Sequence, residues 1–136
     1  MPIDTSESQN AICHRLIAGI SALDLPSLRA VCAENVELNV PGARDVDLTT
    51  ESRGAEALCQ WAEGVHALCG KTTFLLHRYF ENGCELMAVG EIHIERHPRL
   101  FASACAIHLR FEAGCIASFL LLLDTYALDK FRGQMD

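Results

Sequence analysis

The first half of the chain carries apolar residues at three- and four-residue spacing, which is the period of an amphipathic helix. This pattern predicts a helix over about residues 8–23, a short second helix from residue 24, and a third helix over residues 54–70. Between the second and third helices, residues 36–40 are predicted to form a strand, and residues 43–53 a polar loop that could act as a lid. The helical period is carried by Ile12, Leu16, Ile20, Leu28, Leu58, Trp61 and Val65.

The period changes to two after residue 70, as expected of β-strands. Asn82-Gly83 predicts a tight turn that joins two strands into a hairpin, because a type I′ turn needs positive φ at both central residues. Ala113-Gly114 predicts a second hairpin, in which Ser103 faces Asp124. Helices that precede strands indicate an α+β fold, in which the helices pack on one face of a curved antiparallel sheet.

Both faces of the second hairpin are apolar if its strands pair regularly from the turn. One face is predicted to turn toward the helices, and it carries Ser103, Cys105, Ile107, Leu120, Leu122, Asp124 and Tyr126. The other face carries Ala102, Ala104, Ala106 and His108. Because the helices can cover only one face and small alanines suit sheet-to-sheet contact, we expect a homodimer through this alanine-bearing face.

Asp124 stands out because the regular register buries its carboxyl group among leucines, where an unpaired charge is costly. In one interpretation, Asp124 hydrogen-bonds Ser103 or a nearby backbone group and has no further role. In the other, it is an acid or base in catalysis, since perturbed buried carboxyl groups concentrate at active sites.

Composition limits the partners and the location of the protein. The chain has 136 residues, which predicts a single domain over residues 1–136, and a net charge of −7, which repels the phosphates of nucleic acids and of anionic membranes. Seven cysteines at irregular spacing, without a zinc-binding or CxxC motif, indicate free thiols in a reducing cytoplasm. We therefore expect a cytoplasmic domain with no nucleic-acid or membrane partner.

The order of these elements and several short motifs resemble the nuclear transport factor 2-like (NTF2-like) superfamily. The most similar branch is the SnoaL-like one, whose namesake is a polyketide cyclase. The motifs lie at residues 24–28 (Asp-Leu-Pro-Ser-Leu), 36–42 (Val-Glu-Leu-Asn-Val-Pro-Gly), 54–58 (Gly-Ala-Glu-Ala-Leu) and 122–126 (Leu-Leu-Asp-Thr-Tyr). The resemblance covers nearly the whole chain and implies a cystatin-like cone, in which a strongly curved antiparallel sheet wraps around three N-terminal helices.

The resemblance also implies roles for individual residues. In SnoaL-like enzymes an aspartate on the last long strand points into the cone and acts as acid or base, and Asp124 occupies that place. In the epoxide hydrolase branch an asparagine before a proline helps to hold the water, and Asn39 is similarly placed. The sequence departs from that branch where Glu37 replaces a tyrosine and where Glu91 with His93 replaces an Arg-x-Asp pair.

Two hypotheses for the function follow. The first is a cofactor-independent acid/base enzyme (an isomerase, cyclase, dehydratase or epoxide hydrolase) that acts on a small apolar carbonyl or epoxide compound. Asp124 would move a proton and Asn39 would orient water or substrate, while Glu91 or His93 would be the complementary group if their face of the first hairpin lines the cone.

The second hypothesis is a non-catalytic domain that binds a small ligand in the cone or a protein on the alanine-bearing face. No glycine-rich phosphate loop indicates an organic cofactor, and spacing alone does not favour a metal. In both hypotheses the ligand cavity is expected to be shaped by Trp61, Met87, Ser103, Leu120, Leu122 and Tyr126.

Overall fold

The fold is seen in a computed structural model that describes residues 8–42 and 50–133. The predicted lid loop falls mostly outside the described residues, and its last four residues form a strand instead. The elements, in chain order, are α1 (Gln9–Ala22), α2 (Leu25–Val31), β1 (Cys32–Val40), β2 (Thr50–Arg53), α3 (Ala55–Leu68), β3 (Lys71–Asn82), β4 (Glu85–Arg96), β5 (Arg99–Glu112), β6 (Cys115–Leu123) and α4 (Thr125–Gly133).

The first two helices begin at side chains that cap them. Ser8 accepts a hydrogen bond from the Ala11 N–H (3.1 Å) at the start of α1, and Asp24 accepts one from the Ser27 N–H (3.3 Å) at the start of α2. Gly54, with φ 110°, leads into α3. All three predicted helices are confirmed, whereas α4 was not predicted.

The six strands form one sheet in the order β2-β1-β6-β5-β4-β3. Neighbouring strands are antiparallel except β1 and β6, which are parallel. The predicted α+β class, with helices packed against a mostly antiparallel sheet, is therefore confirmed. The parallel contact joins the first strand to the last, so residues from both halves of the chain meet beside α3 and α4.

The two faces of the sheet differ in burial. The inner face, which packs into the core, carries Val36, Leu38, Val40, Thr72, Phe74, Leu86, Ala88, Ile92, Ile94, Cys105, Ile107, Leu109, Phe119 and Leu121. The outer face carries Glu37, Asn39, Leu75, Phe80, Met87, Val89, Glu91, His93, Ala102, Ala104, Ala106, His108, Arg110, Leu120 and Leu122, which are exposed or half-buried.

The first hairpin turns one residue later than predicted. Asn82 pairs with Glu85, so the turn consists of Gly83 and Cys84. Gly83 has φ 62°, and a glycine with positive φ at the first central position is what a type II′ turn requires. Together with an extra residue in β3, His77, this shift turns Met87, Val89, Glu91 and His93 to the outer face. The condition under which Glu91 or His93 would reach the cone is therefore not met.

The second hairpin has the predicted turn but not the predicted register. Ala113 and Gly114 both have positive φ (52° and 79°), and their neighbours pair as expected. Ala117 is then left without a partner as a β-bulge, which exchanges the two faces of β6 beyond it. Leu120 and Leu122 therefore lie on the outer face, and the prediction that they face the helices is wrong. The predicted faces of β5 are confirmed.

Candidate functional site

A small cavity lies between the inner face of the sheet, α3 and α4, and we call it the cone cavity. Its volume is about 10 Å³, close to the space that one water molecule needs. Within the described part of the chain, its lining comes from six elements and consists of Val40, Trp61, Val65, Thr72, Ile92, Ile94, Leu121, Leu123, Thr125 and Leu128. Side chains of the protein thus nearly fill the centre of the cone.

The lining of the cone cavity is apolar. Eight of its ten side chains are hydrophobic, and the other two, Thr72 and Thr125, carry only hydroxyl groups. None of the ten side chains is ionisable, so none can donate or accept a proton in general acid/base catalysis at neutral pH. The cavity can attract apolar surface by the hydrophobic effect and can offer hydroxyl groups for orientation.

Trp61 lies on the wall of the cone cavity, where the helical spacing of α3 predicted it. The edge of its ring meets Phe119 of β6, with 6.1 Å between the ring centroids and an interplanar angle of 77°. This edge-to-face contact fixes the indole beside the cavity. That Trp61 contacts a ligand stays a prediction.

The helix α4 closes the cone cavity. Thr125, Leu128 and Phe131 are its buried residues, and Phe131 packs on Phe101 of β5 with 5.7 Å between the ring centroids. Leu128 and Thr125 also line the cavity. Three buried side chains thus hold this nine-residue helix over the apolar cone cavity, and we refer to α4 in this position as the cover.

Asp124 caps α4 and does not point into the cone. Its Oδ1 accepts a hydrogen bond from the Ala127 N–H (2.9 Å), and the residue is exposed. The predicted contact with Ser103 exists in another form, because the Asp124 N–H donates to the Ser103 Oγ (3.1 Å). The predicted burial of Asp124 among leucines is therefore wrong. The bulge at Ala117 and the end of β6 at Leu123 place the carboxyl group at a helix N-terminus instead.

The other residues that the sequence assigned to catalysis lie on the outer face. The His93 Nε2 and the Glu91 Oε1 are 2.9 Å apart in an exposed pair. Asn39 is half-buried between Glu51 of β2 and Leu120 of β6. The structure does not place these residues and Asp124 around one cavity. Their catalytic role stays a prediction that the geometry does not support.

The ligand-contact residues expected from the sequence are also dispersed. Met87, Leu120 and Leu122 belong to the outer face. Tyr126 is 62% exposed on α4, where the Lys130 Nζ lies 4.6 Å from the centroid of its ring. The Ser103 hydroxyl donates to the Ala104 carbonyl oxygen (2.7 Å). Of the six expected residues, Trp61 lines the cone cavity.

A larger open groove of about 360 Å³ runs along β1 and β2. Its walls include Glu37, Asn39, Glu51 and Arg53. The Arg53 guanidinium pairs with the Glu37 carboxylate (3.1 Å), and both side chains are largely exposed. The charges of this groove are thus partly satisfied and well hydrated, so the enclosed cone cavity is the better candidate for ligand binding.

The described residues were searched for metal ligands and reactive thiols. No three His, Cys, Asp or Glu side chains in ranges 8–42 and 50–133 form a group that could hold a metal. Burial raises the pKa of Cys32 to about 12 and that of Cys105 to about 11. These thiols stay protonated at neutral pH and are poor nucleophiles. Within the same ranges no helix is long and apolar enough to span a bilayer.

Sequence reasoning missed most of the cavity lining. Several of these residues were recognised as apolar, but their common position depends on the two hairpin registers and on α4. One signal for α4 was present in the sequence: Asp124 is a favourable N-cap, Ala127 and Leu128 are good helix formers, and Lys130 and Arg132 suit the last turn of a helix.

The sequence and the fold were compared with those of known proteins. The family model of the SnoaL-like domain matches residues 13–119, most of the chain. The chain belongs to the SnoaL-like family. The comparison with curated protein sequences gave no match.

Solved structures share the fold of this SnoaL-like domain at low sequence identity. An NTF2-like protein of unknown function from Burkholderia pseudomallei K96243 is 19% identical, with 92% of this chain and 98% of that chain covered and a TM-score of 0.81. TerC, co-crystallised with polyporic acid, is 14% identical, with coverage of 91% and 97% and a TM-score of 0.81. An LEH-like epoxide hydrolase of M. tuberculosis is 12% identical, with coverage of 91% and 88% and a TM-score of 0.72.

Proposed function

We propose that this SnoaL-like domain binds a small, flat, apolar molecule in the cone cavity and does not transfer protons to or from it. The observation that carries the proposal is the lining that residues 8–42 and 50–133 give the cavity: ten side chains, none of them ionisable, with an indole on one wall. Such a site gains affinity from buried apolar surface and gains orientation from hydroxyl groups.

The enzyme hypothesis has less support. A general acid or base must reach the reacting atom within hydrogen-bond distance or through one water. Asp124 caps a helix at the surface, and the Glu91–His93 pair lies on the outer face of the sheet. Turnover of a bound ligand that is lost in Asp124→Asn would restore the enzyme hypothesis and contradict a purely binding role.

A ligand can enter only if the cover moves, because the closed cavity of about 10 Å³ holds no organic molecule. The burial of Leu128 and Phe131 stabilises the closed position by about 1.5–3 kcal/mol for each side chain. An open form that is about 3–6 kcal/mol less stable is populated at about 1% or less, and this fraction multiplies the intrinsic affinity. We therefore propose that α4 opens for binding.

The proposal fits one structural neighbour. TerC, which has the same fold, was co-crystallised with polyporic acid. Polyporic acid therefore belongs in a first ligand panel, beside naphthols, steroids and terpenes that differ in size and flatness. The panel is read by the shift of the melting temperature, because a ligand at about 100 times its Kd stabilises the folded state by about 2.7 kcal/mol.

Trp61 provides a test of the location of the ligand, because it is the only tryptophan in the chain. An uncharged naphthylamine probe that enters the cone cavity should emit on excitation of Trp61, through energy transfer at short distance. In Trp61→Phe this sensitised emission should vanish, while the direct emission of the bound probe should persist. Loss of both signals would mean that the substitution destroyed the site, and a Trp61→Tyr variant would then replace it.

Leu128→Ala should tighten probe binding by about tenfold or more. The substitution weakens the hold of α4 and leaves more room in the cavity. Leu122→Ala is the matched control, since the same side chain is removed from the outer face, and it should leave the affinity of the sensitised site unchanged. If Leu122→Ala weakens this binding and Leu128→Ala does not change it, the ligand binds on the outer face and the proposal is wrong.

A further inference from the structure

Two buried threonines line the cone cavity. Thr72 of β3 is 4% exposed and Thr125 of α4 is 6% exposed. Within residues 8–42 and 50–133, they are the only polar residues that are buried. No hydrogen bond of either hydroxyl group is found within those residues. Two buried hydrogen-bonding groups therefore lie beside the cavity without a partner in the described part of the chain.

A threonine without a hydrogen-bond partner is an unfavourable residue for a buried site. Valine has nearly the same shape and suits a strand equally well, and it carries no polar group that must be desolvated. The chain uses valine at two other positions of this lining, Val40 and Val65. Because buried polar groups in folded proteins are nearly always hydrogen-bonded, the two hydroxyl groups indicate a partner that enters the cavity.

The two threonines belong to different walls of the cone cavity. Thr72 lies on the sheet, where it pairs with Ile94 of β4. Thr125 is the first residue of α4 and belongs to the cover. The other eight lining side chains are hydrophobic, so a hydrogen bond that forms among them is strengthened by the low local dielectric constant. A ligand between the sheet and the closed cover is thus offered one hydroxyl group from each wall.

We propose that Thr72 and Thr125 make the cone cavity selective for apolar molecules that carry a carbonyl or hydroxyl oxygen. The inference rests on the proposed function, because it needs a ligand in the cone cavity. A threonine hydroxyl group donates one hydrogen bond and accepts up to two, so it can bind an oxygen of either kind. A hydrocarbon of the same shape would fill the cavity and leave both hydroxyl groups without a partner, which lowers its affinity.

This selectivity opposes the order of hydrophobicity. Transfer from water into an apolar space favours a hydrocarbon over an alcohol or ketone of the same frame. A cavity whose hydroxyl groups had no effect would therefore bind the hydrocarbon more tightly. A water molecule that stayed beside the ligand would satisfy the hydroxyl groups and would also remove the preference for an oxygen. Tighter binding of the oxygenated compound thus distinguishes the proposal from both alternatives.

A naphthol and the methylnaphthalene with its methyl group at the same ring position form a matched pair. Both compounds are small, flat and apolar, and they differ by a hydroxyl group in place of a methyl group. Titration calorimetry with the wild-type chain should show the naphthol binding at least about tenfold more tightly, which corresponds to about 1.4 kcal/mol. Equal affinities, or tighter binding of the methylnaphthalene, would overturn the selectivity but not the cavity as the binding site. Binding of neither compound would contradict the proposed function itself.

Valine substitutions remove each hydroxyl group and keep the shape of the side chain. Thr72→Val and Thr125→Val should each weaken binding of the naphthol about tenfold, and should leave binding of the methylnaphthalene unchanged or stronger. Thr73→Val is the matched control, because Thr73 is the next residue of β3, is exposed and pairs with His93 on the outer face. A preference for the naphthol that persists in both valine variants, or that is lost in Thr73→Val, would show that the assignment is wrong.

Stability measurements and serine substitutions distinguish selection of the ligand from a structural role. Because the hydroxyl groups have no partner in the described fold, the two valine variants should unfold at the same urea concentration as the wild type or at a higher one. Thr72→Ser and Thr125→Ser keep the hydroxyl group and should keep the preference for the naphthol. A lowered urea midpoint in the valine variants, or loss of the preference in the serine variants, would overturn the proposal.

Discussion

Leu121 and Leu122 are adjacent leucines on opposite faces of β6, and they provide a direct test of its register. The side chain of Leu121 has no exposed surface and lines the cone cavity, whereas Leu122 is 43% exposed on the outer face. The regular register without a bulge at Ala117 would give the reverse arrangement. Replacing each leucine by alanine in turn removes the same atoms from the two environments.

The expected costs differ severalfold. A fully buried leucine that is truncated to alanine loses about 2–5 kcal/mol, because the loss of burial adds to the cost of the cavity that is left. Only about half of the Leu122 surface is buried, so truncation of this side chain removes less buried area. Substitutions at exposed sites usually change stability by about 0.5 kcal/mol or less. The free energy of unfolding of a small domain is about 5–15 kcal/mol. Leu121→Ala should therefore still fold, but with a clearly lower free energy of unfolding.

Urea unfolding at several protein concentrations measures both effects. The midpoint of Leu121→Ala should fall at every concentration, with an unchanged slope of the free energy against urea. At low protein concentration the midpoint of Leu122→Ala should change little. Equal losses for the two variants at low concentration, or a larger loss for Leu122→Ala, would refute the bulge and the assignment of the faces.

Replacing Asp124 by Ala should lower the free energy of unfolding by about 1 kcal/mol, whereas Asn, an equally good N-cap, should leave it nearly unchanged; equal losses in urea would mean that Asp124 does not cap α4. Gly90→Ala should strongly lower the melting temperature, because the new Cβ would lie 2.1 Å from a carbonyl oxygen of β3, while Gly64→Ala, with open space around it in α3, should raise it. A thiol reagent at neutral pH should label Cys84 and Cys115 and should spare the five buried cysteines until denaturant is added, and mass spectrometry counts the labels. Stability should fall as the pH rises above 9, because burial raises the folded pKa of four thiols to about 11 or 12 and the unfolded chain releases these protons first; a flat thermal stability from pH 9 to 11 would contradict this.

Local signals in the sequence predicted the helices and the class of the fold. Capping residues, helical spacing and the change to period two each depend on a few neighbouring residues, so a single sequence is enough to recognise them. The turn at Ala113-Gly114 belongs to the same class of signal, since positive φ is a property of the turn itself. These features required no knowledge of distant contacts.

The candidate site depends on register, and register is not local. One extra residue at Ala117 reversed the predicted faces of Leu120 and Leu122, and the turn at Gly83 decided the face of Glu91 and His93, which the sequence left open. A β-bulge is stabilised by the packing of the whole strand, here by the burial of Phe119 and Leu121, and the alternation pattern of a two-sided apolar strand does not reveal it. The same shift ended β6 early and placed Asp124 at the start of α4.

The cone cavity as the binding site is the central claim, and intermolecular nuclear Overhauser effects test it most directly. The measurement uses methyl-labelled protein and a saturating apolar ligand from the thermal panel. We expect contacts between ligand protons and the methyl groups of Val65, Ile92 and Leu121, which line the cavity and do not belong to α4. Contacts to the methyl groups of Leu122 and Met87 instead would place the ligand on the outer face and contradict the account.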